Sequence, residues 1–221
     1  MVKLEQVEMA LRLADFDTQR AHAQMAPMPR AMKRPLTQPG QPRVGGVLAL
    51  LYDCRDQINV VLTRRRDDLN AHAGQISFPG GRNEPPEPLL TTALRETQEE
   101  VGIAPEAVQV LGSLTPIYIP PSDYEVHPFV AWYANGRCPT FSPAPCEVAE
   151  ILEVPLAHLL NPATRYHESR EIMGHRLNVP FFAVAEHKVW GATAVMLSEL
   201  VERLRVVMEE TAVNAPSSPL A

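Results

Sequence analysis

Three glutamates, Glu96, Glu99 and Glu100, stand at i, i+3 and i+4 in a stretch from Pro88 to Val101 that reads as a helix. Successive helical residues turn by about 100°, so the three carboxylates share one side. Like charges at that spacing repel and weaken the helix unless something positive sits among them. A hard divalent cation, Mg²⁺ or Mn²⁺, prefers oxygen ligands and meets that requirement. A solvated acidic face has the same spacing, and the three residues alone leave both readings open.

The elements that must position these glutamates are also written locally. Pro88 suits the first turn of the helix and Gly102 suits a left-handed cap at its end. Leu90, Leu94, Thr97 and Val101 form a stripe about 120° round from the acidic side, and that stripe is expected to pack on a sheet. Short apolar runs at 46–53, 58–65, 108–119, 126–133, 147–154 and 179–186 read as strands, the first two joined by the hairpin-length CRDQ. A second helix is expected from about Ala192 to Met208, with Met196, Leu200, Leu204 and Val207 at helical spacing. Strand runs flanking helices in this order predict an α/β fold, a mixed β-sheet between helices. Residues 1–43 read as an N-terminal helix followed by a proline-rich basic linker from Met25, either a basic arm for phosphate or a solvated tail. Residues 44–208 form the main domain and 209–221 a disordered tail.

The spacing around the glutamates is longer than the triad. Gly81 is followed by five residues, Glu87, seven residues, and then Arg95, Glu96, Thr97, Gln98, Glu99, Glu100, Val101, Gly102 and Ile103. This resembles the Nudix box, GX5EX7REUXEEXGU with U a bulky aliphatic, at every fixed letter; Thr97 at a U position is the one departure. The resemblance implies a Nudix α/β/α sandwich in which Glu96, Glu99 and Glu100 hold catalytic metal ions, the Gly81 carbonyl adds a ligand, and Arg95 pairs with Glu87 to brace loop against helix. It also implies hydrolysis of a nucleoside diphosphate linked to another group. Bridging cations would neutralise the diphosphate and acidify the attacking water.

A box names the reaction class; the flanks carry the substrate. Upstream, VLTRRRDDLNAHAGQISFPGG (61–81) is similar to the coenzyme A diphosphatase branch, LLTxR(S/A)xxxRxxxGxxxFPGG. Leu62, Thr63, Arg65, Gly74, Phe78, Pro79, Gly80 and Gly81 match, whereas Arg66 stands at the small position and Asn70 at the second arginine. The loss matters because coenzyme A carries a 3′-phosphate and arginine is the usual bidentate partner of phosphate. Arg64, Arg65, His72 and Gln75 are the expected substrate-binding residues. SDYEVHPFVAW (122–132) resembles the branch segment SGFxVxPxVG with Asp123 in place of glycine, and 147–162 and 189–197 carry further branch features. Glu96 is the expected base, with Glu147 and Glu150 as rivals outside the box. The resemblance implies cleavage of coenzyme A or acyl-CoA to 3′,5′-ADP and (acyl-)4′-phosphopantetheine. Alternatives are ADP-ribose, NADH or a dNTP as substrate, or a Nudix regulator that binds a nucleotide without hydrolysing it.

Composition narrows the partners. The net charge of −6 disfavours a general nucleic-acid binder, and no apolar run approaches a membrane span. A small-molecule substrate and a cytoplasmic location are expected, with a homodimer left open. Cys54, Cys138 and Cys146, odd in number and without metal-ligand spacing, are expected as reduced thiols.

Overall fold

A strand that is apolar at odd and even positions alike must have both faces covered. That is the pattern of β1 (Arg43–Cys54), and the rest of the fold supplies the two covers. In the computed structural model, which describes residues 1–29, 40–68, 74–172 and 174–213, Leu48, Leu50 and Tyr52 face one layer and Ala49 and Leu51 the other, all fully buried. The remaining strands are β2 (Gln57–Arg65), β3 (Ile76–Ser77), β4 (Gly80–Arg82), β5 (Val108–Ser113), β6 (Ile117–Ile119), β7 (Tyr124–Tyr133) and β8 (Val148–Pro155). They form one mixed sheet in the order β3-β2-β1-β7-β5, with β4 on β1, β6 on β7 and β8 on β2. Only β1 and β7 pair in parallel. The strands β9 (Arg165–Ile172), β10 (His175–Val184) and β11 (His187–Trp190) make a separate antiparallel sheet.

Helix α3 (Leu89–Val101) covers the first face, and α5 (Gly191–Val213) the second. Helices α1 (Leu4–Leu11) and α2 (Thr18–Ala23) pack on α5, while the short α4 (Leu156–Leu160) follows β8. This is the expected α/β/α arrangement. Met196, Leu200, Leu204 and Val207 of α5 are buried as the spacing predicts. Val7, Ala10, Met25 and Ala26 are buried as well, so the segment before β1 shares the main core. The expected basic linker lies mostly in 30–39, and the expected tail mostly in 214–221, both outside the described residues.

The N-terminal segment is fastened by a polar network. Glu199 on α5 is fully buried; His22 Nε2 lies 2.8 Å from its Oε2, and Arg203 Nε donates to its Oε1 at 3.0 Å. Thr115, between β5 and β6, donates to the same carboxylate from its backbone N–H and its hydroxyl. Arg203 also donates to the carbonyls of Ala10 and Leu13 and lies over the Phe16 ring.

Several expectations are corrected. The buried face of α3 is Thr92, Ala93, Thr97, Glu100 and Val101, while Leu90 and Leu94 are only partly covered. The cause is a close approach to β1: a Cβ on Gly46 would stand 2.3 Å from the Leu89 carbonyl oxygen and 3.3 Å from Ala93 Cβ. A helix so close to a strand turns its small residues inward, and Glu100 comes with them. The run 108–119 breaks into β5 and β6 around Leu114–Pro116. Cys54 and Cys138 form a disulfide, against the expectation of reduced thiols, and Cys146 is free and exposed. Parallel pairing of β1 and β7 sets Leu51 opposite Trp132, so the segments that follow them meet although they are 84 residues apart. No helix among the described residues is long and apolar enough to cross a membrane.

Candidate active site

Pro85, Pro86 and Pro88 keep the chain between β4 and α3 out of a helix, so the loop must be held by side chains. Asn83 Nδ2 donates to the Glu87 carbonyl at 2.7 Å and to Thr92 Oγ1 at 2.9 Å, and the Thr92 hydroxyl donates to Glu87 Oε2 at 2.7 Å. Arg95 Nε closes the loop on Glu87 Oε1 at 3.1 Å, which is the expected Arg95–Glu87 pair. Arg95, then Thr92, holds the Glu87 carboxyl below its ordinary range. The helix ends at Gly102, whose φ of 78° is left-handed and whose N–H donates to the Gln98 carbonyl, as its position in the sequence predicts.

The box glutamates occupy three different environments. The Glu96 carboxylate lies on Gly81, where a Cβ would come within 2.4 Å of it. Arg95 Nη1 donates to Glu96 at 2.8 Å and to Glu99 at 3.3 Å. Glu99 is exposed, whereas Glu100 is 7% exposed and accepts from the Gly80 N–H at 3.3 Å. Burial pushes the Glu100 carboxyl up to about 7, with Glu96 and Glu147 adding charge of the same sign. Burial also raises Glu96. The three do not bring their ligand atoms within 4.8 Å of one another: Arg95 Nη1 sits between Glu96 and Glu99, and Glu100 lies apart from it. Among the described residues, the trio with ligand atoms within 4.8 Å of one another is instead Glu150, Glu186 and His187, where β8 meets the β10–β11 turn.

A cleft of about 320 Å³ opens beside Glu100. Val47, Phe78, Ile119 and Val126 give it an apolar floor, and Thr63, Arg65, Glu147, Ser122 and Tyr124 stand around it. A Cβ on Gly45 would stand 2.5 Å from the Gly81 carbonyl oxygen, so the missing side chain leaves that oxygen open to the cleft. The donor set suits a hard cation: the buried Glu100 with only the Gly80 N–H donating to it, Glu96 and Glu99 sharing one arginine, and the Gly81 carbonyl oxygen beside them. Arg65 lines the cleft as expected and faces Glu147 at 3.6 Å. Arg64 does not line it; it pairs with Asp67 and approaches Glu150 at 3.5 Å. Gln75 is exposed, and its carbonyl accepts from the Arg65 N–H. His72 and Asn70 lie outside the described residues. Of the rival bases, Glu147 lines the cleft and Glu150 is held by His187 at 2.9 Å.

Tyr124 and Ser122 are cleft residues that the sequence reading did not single out. The one signal was Asp123 at a glycine position: it has φ 49°, a left-handed conformation that Asp tolerates, and it accepts from the Tyr118 hydroxyl at 2.9 Å.

A family model described as NUDIX domain matches residues 42–175. An uncharacterized Nudix hydrolase NudL of Photorhabdus laumondii is 37% identical over 154 residues, 69% of this chain and 81% of that protein. The NudL of Yersinia pestis strain Pestoides F is 37% identical over 164 residues, 69% of this chain and 76% of that protein. The solved MutT/nudix family protein of Enterococcus faecalis has a similar fold, with a TM-score of 0.50 at 16% identity over 95% of this chain and 75% of that one.

Proposed function

The chain belongs to the NUDIX family and is a hydrolase of nucleoside diphosphate derivatives, and from that premise we propose that it splits the diphosphate of coenzyme A or acyl-CoA into 3′,5′-ADP and (acyl-)4′-phosphopantetheine. The observation that carries the reading is where the branch-like segment falls. Thr63, Arg65, Phe78, Gly80 and Gly81, all matches to the coenzyme A diphosphatase pattern, line the cleft beside Glu100.

Glu96, Glu99, Glu100 and the Gly81 carbonyl would hold Mg²⁺ or Mn²⁺. When bound, the cation supplies charge neutralisation on the diphosphate and makes water a better nucleophile. The chain does the rest by position. Arg95, anchored by Glu87, fixes the rotamers of Glu96 and Glu99, so they are pre-set when substrate arrives. Gly81 and Gly45 keep the approach to those carboxylates free of side chains. Glu96, with the cleft-lining Glu147 as its rival, accepts the proton of the attacking water. The apolar floor excludes water from the reacting group.

One observation favours another diphosphate as substrate. Arg66, at the branch's small position, is spent on Asp68 and on the Pro145 carbonyl, so that part of the pattern is not directed at the cleft. The deciding experiment is hydrolysis of coenzyme A with Mg²⁺ or Mn²⁺, products resolved by chromatography, beside ADP-ribose, NADH and dNTPs and a Glu99→Gln control. Release of 3′,5′-ADP that disappears in the control is expected. Faster turnover of another member of the panel would replace coenzyme A, and no cleavage at all would favour a regulator that only binds.

A further inference from the structure

The arginines around the cleft divide by how their charge is met. Arg64 faces Asp67 and Glu150, Arg65 faces Glu147, and Arg66 faces Asp68, so the run expected to bind phosphate is already neutralised by the chain. Arg43 and Arg82 have no carboxylate partner among the described residues. They stand together on the sheet. In the β4–β1–β7 register, Arg82 lies opposite Gly45 and Arg43 opposite Tyr124. Side chains alternate along a strand, so Arg43, Arg82 and Tyr124 emerge on one face, the face on which Gly45, Val47 and Val126 line the cleft.

Arg43 and Tyr124 are held in place. The Tyr124 ring lies on Gly45, where a Cβ would meet Cε1 at 2.7 Å and the hydroxyl at 3.1 Å. Arg43 is held over that ring, Cζ 5.4 Å from its centroid, and an Nη donates to the Ser122 carbonyl of the cleft wall. Ser122 and Tyr124 therefore wall one end of the cleft with the Arg43 guanidinium on them, Arg82 stands beside them in the register, and the Glu96 carboxylate lies against Gly81. Arginine's planar donor fork suits a phosphate better than any neutral group.

We propose that Arg43, Arg82 and Tyr124 form a subsite for a phosphate monoester that the substrate carries in addition to its scissile diphosphate. This rests on the diphosphate substrate read above, and it moves the recognition of a 3′-phosphate from Arg64–Arg66 to the opposite end of the cleft. The subsite discriminates substrates with the extra phosphate from those without it, and it acts on binding rather than on the chemical step.

Binding is measured first, by calorimetry in metal-free buffer with 3′,5′-ADP and 5′-AMP as probes. The full-length protein should bind 3′,5′-ADP roughly ten- to hundredfold more tightly, the range for hydrogen bonds to a charged group. The double change Arg43→Gln and Arg82→Gln should erase that ratio, and Arg137→Gln, paired with Asp53 and Asp56 elsewhere, should leave it intact. Equal affinity for the two probes, or a ratio that survives the double change, would overturn the subsite. So would an equal weakening of both probes, which would mean only general attraction of anions. Turnover of coenzyme A against dephospho-coenzyme A separates this proposal from the one it rests on. Cleavage of both with equal kcat/KM keeps the coenzyme A reading and removes the subsite. Discrimination in binding with no cleavage of either keeps the subsite and removes coenzyme A.

Discussion

Glu100 and Glu199 are both buried, at 7% and 0% exposure, and both lose the solvation a carboxylate has in water. Burial raises each of them. At Glu199 that rise is outweighed by hydrogen bonds from His22 and Arg203 and by their charges, and the group sits below the ordinary carboxylate range. At Glu100 the chain offers one long bond from the Gly80 N–H and two more carboxylates nearby, and the group is pushed up to about 7. The difference separates two uses of the same side chain. A carboxylate that holds helices together is satisfied by the chain itself, whereas one left short of positive charge needs a cation from outside.

The sharpest way to break this contrast is a pair of substitutions. Glu199→Ala strands the Arg203 guanidinium and leaves His22 and Thr115 without their acceptor, and should lower unfolding free energy by about 3–5 kcal/mol. Urea titration would show it, and activity at low temperature should persist. Glu100→Gln should do the reverse: hydrolysis falls at least about a hundredfold, as expected for a lost metal ligand, and the metal-free protein is as stable as before or more so. A Glu100→Gln protein as destabilised as Glu199→Ala would mean that both carboxylates are structural.

Proton linkage gives the next test. Glu100 has a folded pKa above its ordinary value, so its contribution is fully present below the ordinary carboxylate range and lost as pH rises through about 7. Glu199 has a lowered folded pKa, so its contribution is present above that range and lost as pH falls through it. Thermal unfolding in chelator should therefore weaken at both ends of a pH series. Glu100→Gln should flatten the upper limb and Glu199→Gln the lower, and Mg²⁺ should restore only the upper limb of the unsubstituted protein. Restoration of the lower limb by Mg²⁺ would contradict the assignment.

How far each carboxylate was legible in the sequence follows from the distance to its partners. Glu96, Glu99 and Glu100 act with Gly81, Glu87 and Arg95, all within one loop and one helix, so spacing alone displayed them. The rotation of α3 that buries Glu100 was not displayed, because it depends on Gly46 in a strand far upstream. Glu199 was silent for a related reason. Its partners His22 and Thr115 lie 177 and 84 residues away, and within VMLSELVERL it reads as a solvent-facing charge. The disulfide hid behind the parallel pairing of β1 and β7, and β9, RYHESREI, is too polar to show a strand's apolar alternation. Of the substrate residues, Arg65 was legible because the branch pattern names it; Arg64 was not excluded, since only the strand's face decides that it turns to Asp67 and Glu150.

Gly81→Ala tests the functional side more gently. The added Cβ would stand 2.4 Å from the Glu96 carboxylate, which is the end of a flexible side chain, so the fold should survive with Glu96 displaced. A displacement of that kind should lower hydrolysis by roughly ten- to hundredfold, with little change in the urea midpoint. Undiminished activity would mean that Glu96 is not held in its working position by the bare backbone of Gly81.

The smallest effect asks which partner holds Glu199 below the ordinary range. His22→Gln keeps a hydrogen-bonding group near the carboxylate and removes the ring, while Arg203 and Thr115 remain in place. The loss should be about 1 kcal/mol, the net worth of one hydrogen bond, and the acid limb of the stability profile should persist. That outcome would place the compensation mainly on Arg203, which also ties α5 to the Ala10 and Leu13 carbonyls and so couples the charge to the docking of α1. A loss as large as that of Glu199→Ala would place it on His22 instead. The attachment of α2 to α5 would then rest on the single contact between His22 and Glu199, with Arg203 serving chiefly the carbonyls of Ala10 and Leu13.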